Sequence, residues 1–341
     1  MKVVIITGSY PPDVCGVAGY TQRLEDSLRC QGAEVSVLSG KKWIPTNVPE
    51  LNREIGATNA DIEHIQYPAT GYGWHLGPQL LSLMRPFVVT IHECSQAHIL
   101  RQLSLLLFSI RARRIIFTNE YECAYASLFA PWIKNRAVVI PIGTNIPVCQ
   151  SAATRLPGVV VYFGLVRPQK GLEEVIRMAE LCKLRGNSVS VRIIGTVLPG
   201  CEDYCCRLRA ATENLPVRWL LDLDDQTLSA ELAQAEIAYL PFPDGASERR
   251  SSLIAMLVNG AAIITTRGSH TPSAMEKAVL LADSPAHALD ITEELFKEPQ
   301  RLRAMQIRAA EFATRFAWED IAAKHLLLYE QLLGQSISAG G

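Results

Sequence analysis

Short β-branched apolar runs alternate with longer amphipathic stretches along nearly the whole chain. In the first half, Lys2–Thr7, Glu34–Ser39, Asp61–Gln66, Phe87–Ile91, Arg114–Thr118 and Ala137–Ile140 have the length and composition of strands. Between them, segments with helical spacing such as Tyr20–Cys30, Ser95–Ile110 and Glu120–Phe129 predict helices. The second half repeats the rhythm, with strands expected at Gly158–Phe163, Ser190–Ile194, Val217–Leu220, Ile237–Leu240 and Ala262–Thr265. A helix-rich stretch from Ala286 to Phe316 leads to a last helix, Ala317 to Leu333. Strand–helix alternation of this kind builds parallel sheets covered on both faces. The expected class is therefore α/β with doubly wound, Rossmann-like sheets.

One stretch breaks the rhythm. From Gly143 to Pro157 the chain turns to proline, glycine and small polar residues. It reads as a linker (146–157) between an N-terminal domain, 1–145, and a C-terminal domain, 158–316, with a closing helix at 317–335. Ligands of doubly wound sheets sit beyond the carboxyl ends of the strands, so two facing sheets would create an interdomain cleft.

Composition narrows the class. At 341 residues the chain exceeds what one core usually holds. A formal net charge of −1 argues against a dedicated nucleic-acid binder. Nine cysteines, an odd number without paired CxxC spacing, fit a reduced, cytoplasmic chain. Cys201, Cys205 and Cys206 cluster, but no histidine lies near them in sequence, so no metal site is assigned. The opening MKVVIIT is a strand's worth of apolar residues rather than a leader, and Leu103 to Ile110 is too short to span a bilayer.

Candidate chemistry gathers where strands end. The segment FGLVRPQKG, 163–171, places Arg167 and Lys170 on a strand-to-helix turn beside the amides of a helix start. Two cations there suit a phosphate or diphosphate. Gly195 and Thr196 follow the strand VRII. In PFPDGASERRSSLIAML, Asp244, Ser247, Glu248, Arg249, Arg250, Ser251 and Ser252 crowd the start of an apolar helix, where serines cap and arginines attract an anion. His92 ends the strand VVTIHE and points towards the cleft, whereas His64 lies inside its strand and reads as structural. The loop GSYPPDVCGVAGY opens a helix near Gly16; its spacing is not GxGxxG, and it is either a rigid connection or a close backbone approach to a ligand. IPIG, 140–143, reads as a hinge turn. Residues 97–116, with Arg101, Arg111, Arg113 and Arg114 flanking leucines, form either an ordinary buried helix or one resting peripherally on an anionic membrane.

In this order, PPDVCG, GAEVSVLS, VVTIHE, IPIGT, FGLVRPQKGLEEVI, VRIIG and the helix ending NGAAIITT resemble the family 4 glycosyltransferases, retaining enzymes of the GT-B architecture. FAWEDIAAKHLLLYEQLL looks like that family's closing helix, which returns to pack on the first domain. The resemblance implies a nucleotide-diphosphate sugar donor held by the C-terminal domain and a glycan or lipid-linked saccharide acceptor on the N-terminal side. It implies that Arg167 and Lys170 neutralise the leaving diphosphate, that Gly16 lies near the donor phosphates and acceptor, and that His92 contacts the transferred sugar. No metal and no cofactor are implied. Two departures stand out. Leu165 occupies the place where an arginine commonly follows the glycine. Ala255 and Ser247 stand where the family has two glutamates separated by seven residues, with Asp244 and Glu248 close by. The expectation is a retaining, metal-independent transferase of polysaccharide biosynthesis, cytoplasmic or at the inner face of the membrane. A non-catalytic nucleotide-sugar or partner binder and a nucleotide-sugar 2-epimerase remain as alternatives.

Overall fold

The computed structural model describes residues 1–13, 15–146, 149 and 154–338, so half of the expected linker, 146–157, lies outside the described residues. By compactness the chain divides into two units, Met1–Asn145 with Ala317–Gly341, and Ile146–Phe316.

The first unit carries β1 (Lys2–Thr7), β2 (Glu34–Leu38), β3 (Ile62–Tyr67), β4 (Val88–Ile91), β5 (Arg114–Phe117) and β6 (Ala137–Val139). They pair in parallel in the order β2-β1-β3-β4-β5-β6. Its helices are α1 (Gly16–Cys30), α2 (Val48–Ala57), α3 (Gly77–Met84), α4 (Ile99–Arg111) and α5 (Glu120–Phe129), completed by α13 (Trp318–Ser338) from the end of the chain. Side chains alternate across a strand, and β1 shows the consequence. Val3 and Ile5 enter one core with Leu24 and Leu28 of α1 and Ile321 and Tyr329 of α13. Val4 and Ile6 enter the other with Leu51 and Ile55 of α2, Leu81 of α3 and Phe108 of α4. Both faces of the sheet are thus covered.

The second unit carries β7 (Val159–Val166), β8 (Ser190–Val197), β9 (Val217–Leu221), β10 (Ile237–Leu240), β11 (Ala262–Thr265) and β12 (Leu280–Leu281). Their order is β12-β11-β10-β7-β8-β9, again parallel. Its helices are α6 (Leu172–Arg185), α7 (Glu202–Ala211), α8 (Asp225–Ala233), α9 (Ser251–Val258), α10 (Ser273–Glu276), α11 (Pro285–Lys297) and α12 (Pro299–Ala313). The chain winds outward from β7 in one direction and from β10 in the other. The carboxyl ends of β7 and β10 therefore flank the point where the winding reverses, the usual place for a ligand in such a sheet.

The sequence reading differs from the structure in a few elements. The strands expected to stop at Phe163 and Ile194 continue to Val166 and Val197, because Gly164 and Gly195 stand opposite each other and the ladder carries on past them. Gly195 and Thr196 are therefore inside β8 rather than beyond it. The short strand β12 and the helices α2 and α3 were not anticipated. Among the described residues no helix is long and apolar enough to cross a membrane.

Candidate functional site

At the carboxyl ends of β7 and β8 a cavity of about 350 Å³ opens, and Lys170 lines it. The turn that carries Lys170 is tightly specified. Gln169 and Gly171 both have positive φ, and a Cβ at residue 171 would lie 2.0 Å from the carbonyl oxygen of Pro241. Only glycine fits there. The Tyr162 hydroxyl donates to the Lys170 carbonyl at 3.1 Å, holding the turn to the strand below it. The Lys170 ammonium is partly buried, and its pKa is lowered by that burial first and then by the charges of Arg167 and Arg250. Asp244 acts in the opposite direction. A cation destabilised by its surroundings in this way gains from an incoming anion.

The start of α9 supplies the rest of the polar wall. Ser251 and Ser252, its first two residues, line the cavity, and the side chain of Arg250, at its N-cap, makes no capping hydrogen bond. Arg250 precedes them, pairs with Asp244 and lies over the Phe242 ring with its guanidinium carbon 5.0 Å from the ring centroid. Gly195 and Thr196 form another part of the lining. A Cβ on residue 195 would fall 1.8 Å from the Gly164 carbonyl oxygen, so the close approach of β7 and β8 needs glycine here. The other lining side chains are apolar, among them Phe163, Ile194, Leu223 and Leu228. A cationic, amide-rich wall joined to an apolar one suits a ligand with an anionic part and a flat or apolar part.

In the first unit, His92 follows β4 and is held from several sides. Its backbone amide donates to the Tyr67 carbonyl at 2.8 Å, and Tyr20 meets its ring edge-on with centroids 4.7 Å apart. The loop beyond it is braced by the buried carboxylate of Glu122, which accepts from the amides of Cys94 and Ser95 and from the Ser95 hydroxyl. His92 Nε2 lies 2.9 Å from the Gln66 amide oxygen. The Gln66 amide nitrogen reaches His64 Nε2 at 3.2 Å, and Thr90 Oγ1 lies 2.7 Å from that same nitrogen. His64 Nδ1 meets the Tyr329 hydroxyl of α13 at 2.6 Å. This pattern assigns the proton of His92 to Nε2 and leaves Nδ1 as an acceptor. Burial lowers the pKa of His64 well below its ordinary value, with His325 and His92 adding to the effect. His92 shifts the same way, again mainly through desolvation, although its ring is partly exposed. Both rings are neutral at ordinary pH.

No protein-family model and no curated protein matches the sequence. Solved structures do. A glycosyltransferase from Rickettsia africae matches with a TM-score of 0.72, covering 97% of this chain and 98% of that one at 13% identity. HepE of Anabaena, solved with UDP and glucose, matches with a TM-score of 0.68, covering 97% and 100% at 16% identity. Sucrose-phosphate synthase from Thermosynechococcus elongatus gives 0.68, covering 98% and 100% at 17% identity. The fold is that of GT-B glycosyltransferases. Likeness at such identity concerns architecture, so the GT-B fold fixes where a site lies and the side chains decide what it does.

Of the residues singled out from the sequence, Lys170, Gly195, Thr196, Ser251 and Ser252 are brought together around one cavity, with Arg167, Asp244 and Arg250 acting on the charge of Lys170. Ser247, Glu248 and Arg249 do not line it. Ser247 is buried, and the buried Glu248 carboxylate is paired with Arg315 at 3.3 Å. Its charge is spent within the unit, because a carboxylate that deep requires a cation. Ala255, where the resemblance expects a glutamate, is fully buried. Gly16 and His92 belong to the first unit; Gly16 is exposed, with open space where a Cβ would stand. Sequence reasoning missed the apolar lining. Leu223, just past the end of β9, was accessible to the same strand-end argument that picked Thr196. Among the described residues no group of three histidine, cysteine or acidic side chains is placed to hold a metal ion.

Proposed function

We propose that the chain is a retaining glycosyltransferase of the family 4 type, moving a sugar from a nucleoside-diphosphate donor to a glycan or lipid-linked saccharide. The observation that carries the proposal is Lys170. Its ammonium lines a cavity beyond the carboxyl ends of β7 and β8, desolvated, beside two guanidiniums and the start of α9. The leaving group of such a reaction is a nucleoside diphosphate, whose negative charge grows as the glycosidic bond breaks. Preorganised cations and helix-start amides stabilise that charge more in the transition state than before it. This is the neutralisation a metal ion supplies in other transferases, so the proposed mechanism uses none. In the retaining step the acceptor oxygen bonds to the anomeric carbon on the face from which the diphosphate departs. The acceptor proton passes to the departing phosphate oxygen. His92, neutral and fixed by Gln66, is assigned to a hydroxyl of the transferred sugar. Residues 97–116 are assigned to peripheral contact with the inner face of a membrane, which suits a lipid-linked acceptor.

A second reading has an observation of its own. Ser247 and Ala255 stand at the two positions where the family has glutamates, and of the neighbouring carboxylates Glu248 is engaged by Arg315 and Asp244 by Arg250. A relative that binds a nucleotide sugar without turning it over fits that loss. The same experiment addresses both. HepE is solved with UDP, which makes UDP the first nucleotide to try, alongside GDP, ADP, dTDP and CMP. One diphosphate is expected to raise the melting temperature selectively, and Lys170→Ala is expected to weaken its binding at least about tenfold by removing a charge-assisted contact. Slow hydrolysis of the matching nucleotide sugar supports the transferase; binding with no hydrolysis or transfer supports the binder. Equal affinity in wild type and Lys170→Ala would remove the phosphate role.

A further inference from the structure

The first unit contains a second cavity, between α4 and α5, whose chemistry differs from the nucleotide site. Its volume is about 80 Å³, and its walls are built from Leu103, Leu106, Phe117, Ala126, Phe129 and their apolar neighbours. Apart from the weakly polar thiol of Cys94, two side chains of the lining, Gln102 and Ser109, carry polar groups, and both are already occupied. Gln102 donates to the carbonyls of Ser95 and Ala97 and accepts from the Tyr125 hydroxyl. Ser109 donates to the Leu106 carbonyl and accepts from the Trp132 indole at 3.0 Å. A sugar or nucleotide would find no partner there. Apolar cavities stay dry and take apolar guests, and one of about 150 Å³ admits benzene. At about half that size, this one takes the end of a single alkyl chain rather than a whole lipid.

The surroundings say where the chain comes from. Ile99, Leu103 and Phe129 line the cavity and are half or more exposed, as is Trp132 beside it. Exposed large side chains clustered in this way mark a contact surface. The flanks are basic: Arg101 and Arg111 lie on α4, and Arg113 and Arg114 follow it. Arg101 donates to the Gly73 carbonyl and lies over the Trp74 ring, and Arg111 donates to the Leu83 carbonyl. Among the described residues neither forms an ion pair with a carboxylate, so their charge is uncompensated. Apolar surface and unpaired cations together fit the boundary between headgroups and acyl chains of an anionic membrane.

We infer that the slot between α4 and α5 is a binding site for one acyl chain of an anionic membrane lipid, with Arg101 and Arg111 of α4 on its headgroups. This deepens the assignment of residues 97–116 to membrane contact and does not depend on transfer chemistry, since the site is read by binding alone. The test uses the full chain and phosphatidylglycerol–phosphatidylcholine vesicles. Wild type is expected to bind these at least about tenfold more tightly than pure phosphatidylcholine. Ala126→Phe, which fills the slot from α5, is expected to lose most of that binding while keeping its nucleotide-induced melting shift. Phosphatidylglycerol brominated near the chain ends is expected to quench wild-type fluorescence more than Trp132→Phe fluorescence, a readout that needs no slot-filling variant to fold. Vesicle binding unchanged in Ala126→Phe, with no Trp132-dependent quenching, would overturn the slot. So would a lipid-free dimer that Leu103→Glu dissolves, because a second copy would then be the occupant. Failure of nucleotide binding alone would leave the inference intact.

Discussion

The buried histidines illustrate how much one proton decides. His64 and His325 are fully buried, and His325 Nδ1 is satisfied by the Ile321 carbonyl at 2.8 Å while its Nε2 has no hydrogen-bond partner. Burial lowers His325 to about 4 and puts His64 well below its ordinary value. The native state thus binds fewer protons than the unfolded chain once the pH drops below about 6.5. Stability is then lost as the pH falls, and for His325 the loss continues down to its folded value of about 4. Each such group contributes up to about 1.4 kcal/mol per pH unit in that window. We therefore expect the melting temperature to fall clearly between about pH 7.5 and about pH 5.5, where unperturbed carboxylates do not yet titrate. A flat profile over that range would mean that these rings are protonated or exposed in solution. At this scale the sequence was legible where a residue's place on its own strand sufficed, as for Lys170 and for the structural His64. It was silent where the partner lies far along the chain. Nothing near Glu248 announces Arg315, and nothing near His64 announces Tyr329.

Elements were legible where periodicity, length and the punctuating residues agreed. Strands β1, β10 and β11 have the bounds expected of them, because a glycine or proline lies within two residues of an end of each. The helix α2 buries Val48, Leu51 and Ile55 at helical spacing, a clear stripe, but it is short and carries Pro49 and Gly56, and α3 has no charged face at all to betray its period. The ends of β7 and β8 were misplaced because glycine is ordinarily a strand breaker. Here the two glycines face each other and permit an approach that no other pair allows. Replacing one tests this directly. Gly195→Ala puts a methyl 1.8 Å from a backbone oxygen that cannot move without parting the strands. We expect a loss on the order of 3 kcal/mol in chemical denaturation, with nucleotide affinity falling as the cavity floor shifts. A neutral substitution would show that the ladder opens at no cost.

At the scale of the molecule, the alternation of strand and helix was enough to predict two parallel α/β sheets, because each repeat buries the next. What alternation does not reveal is that the first unit is closed by the last helix. Ile321, Ala322, Tyr329 and Leu332 of α13 join the core that β1 and α1 begin. The three large ones, Ile321, Tyr329 and Leu332, at about 1.5–3 kcal/mol each already approach the whole net stability of a domain, about 5–15 kcal/mol. A chain ending at Phe316 is therefore expected to lose the first unit to limited proteolysis while a fragment covering the second persists; protection of both would show α13 to be dispensable. The same arrangement has a bearing on biosynthesis. The ribosome delivers β1 before the entire second unit and α13 only after it, so the earlier-made half must wait, its apolar face open, while the later-made half finishes. Premature termination then leaves a product that chaperones and proteases can recognise, and only a chain read through to α13 conceals the evidence of its own incompleteness.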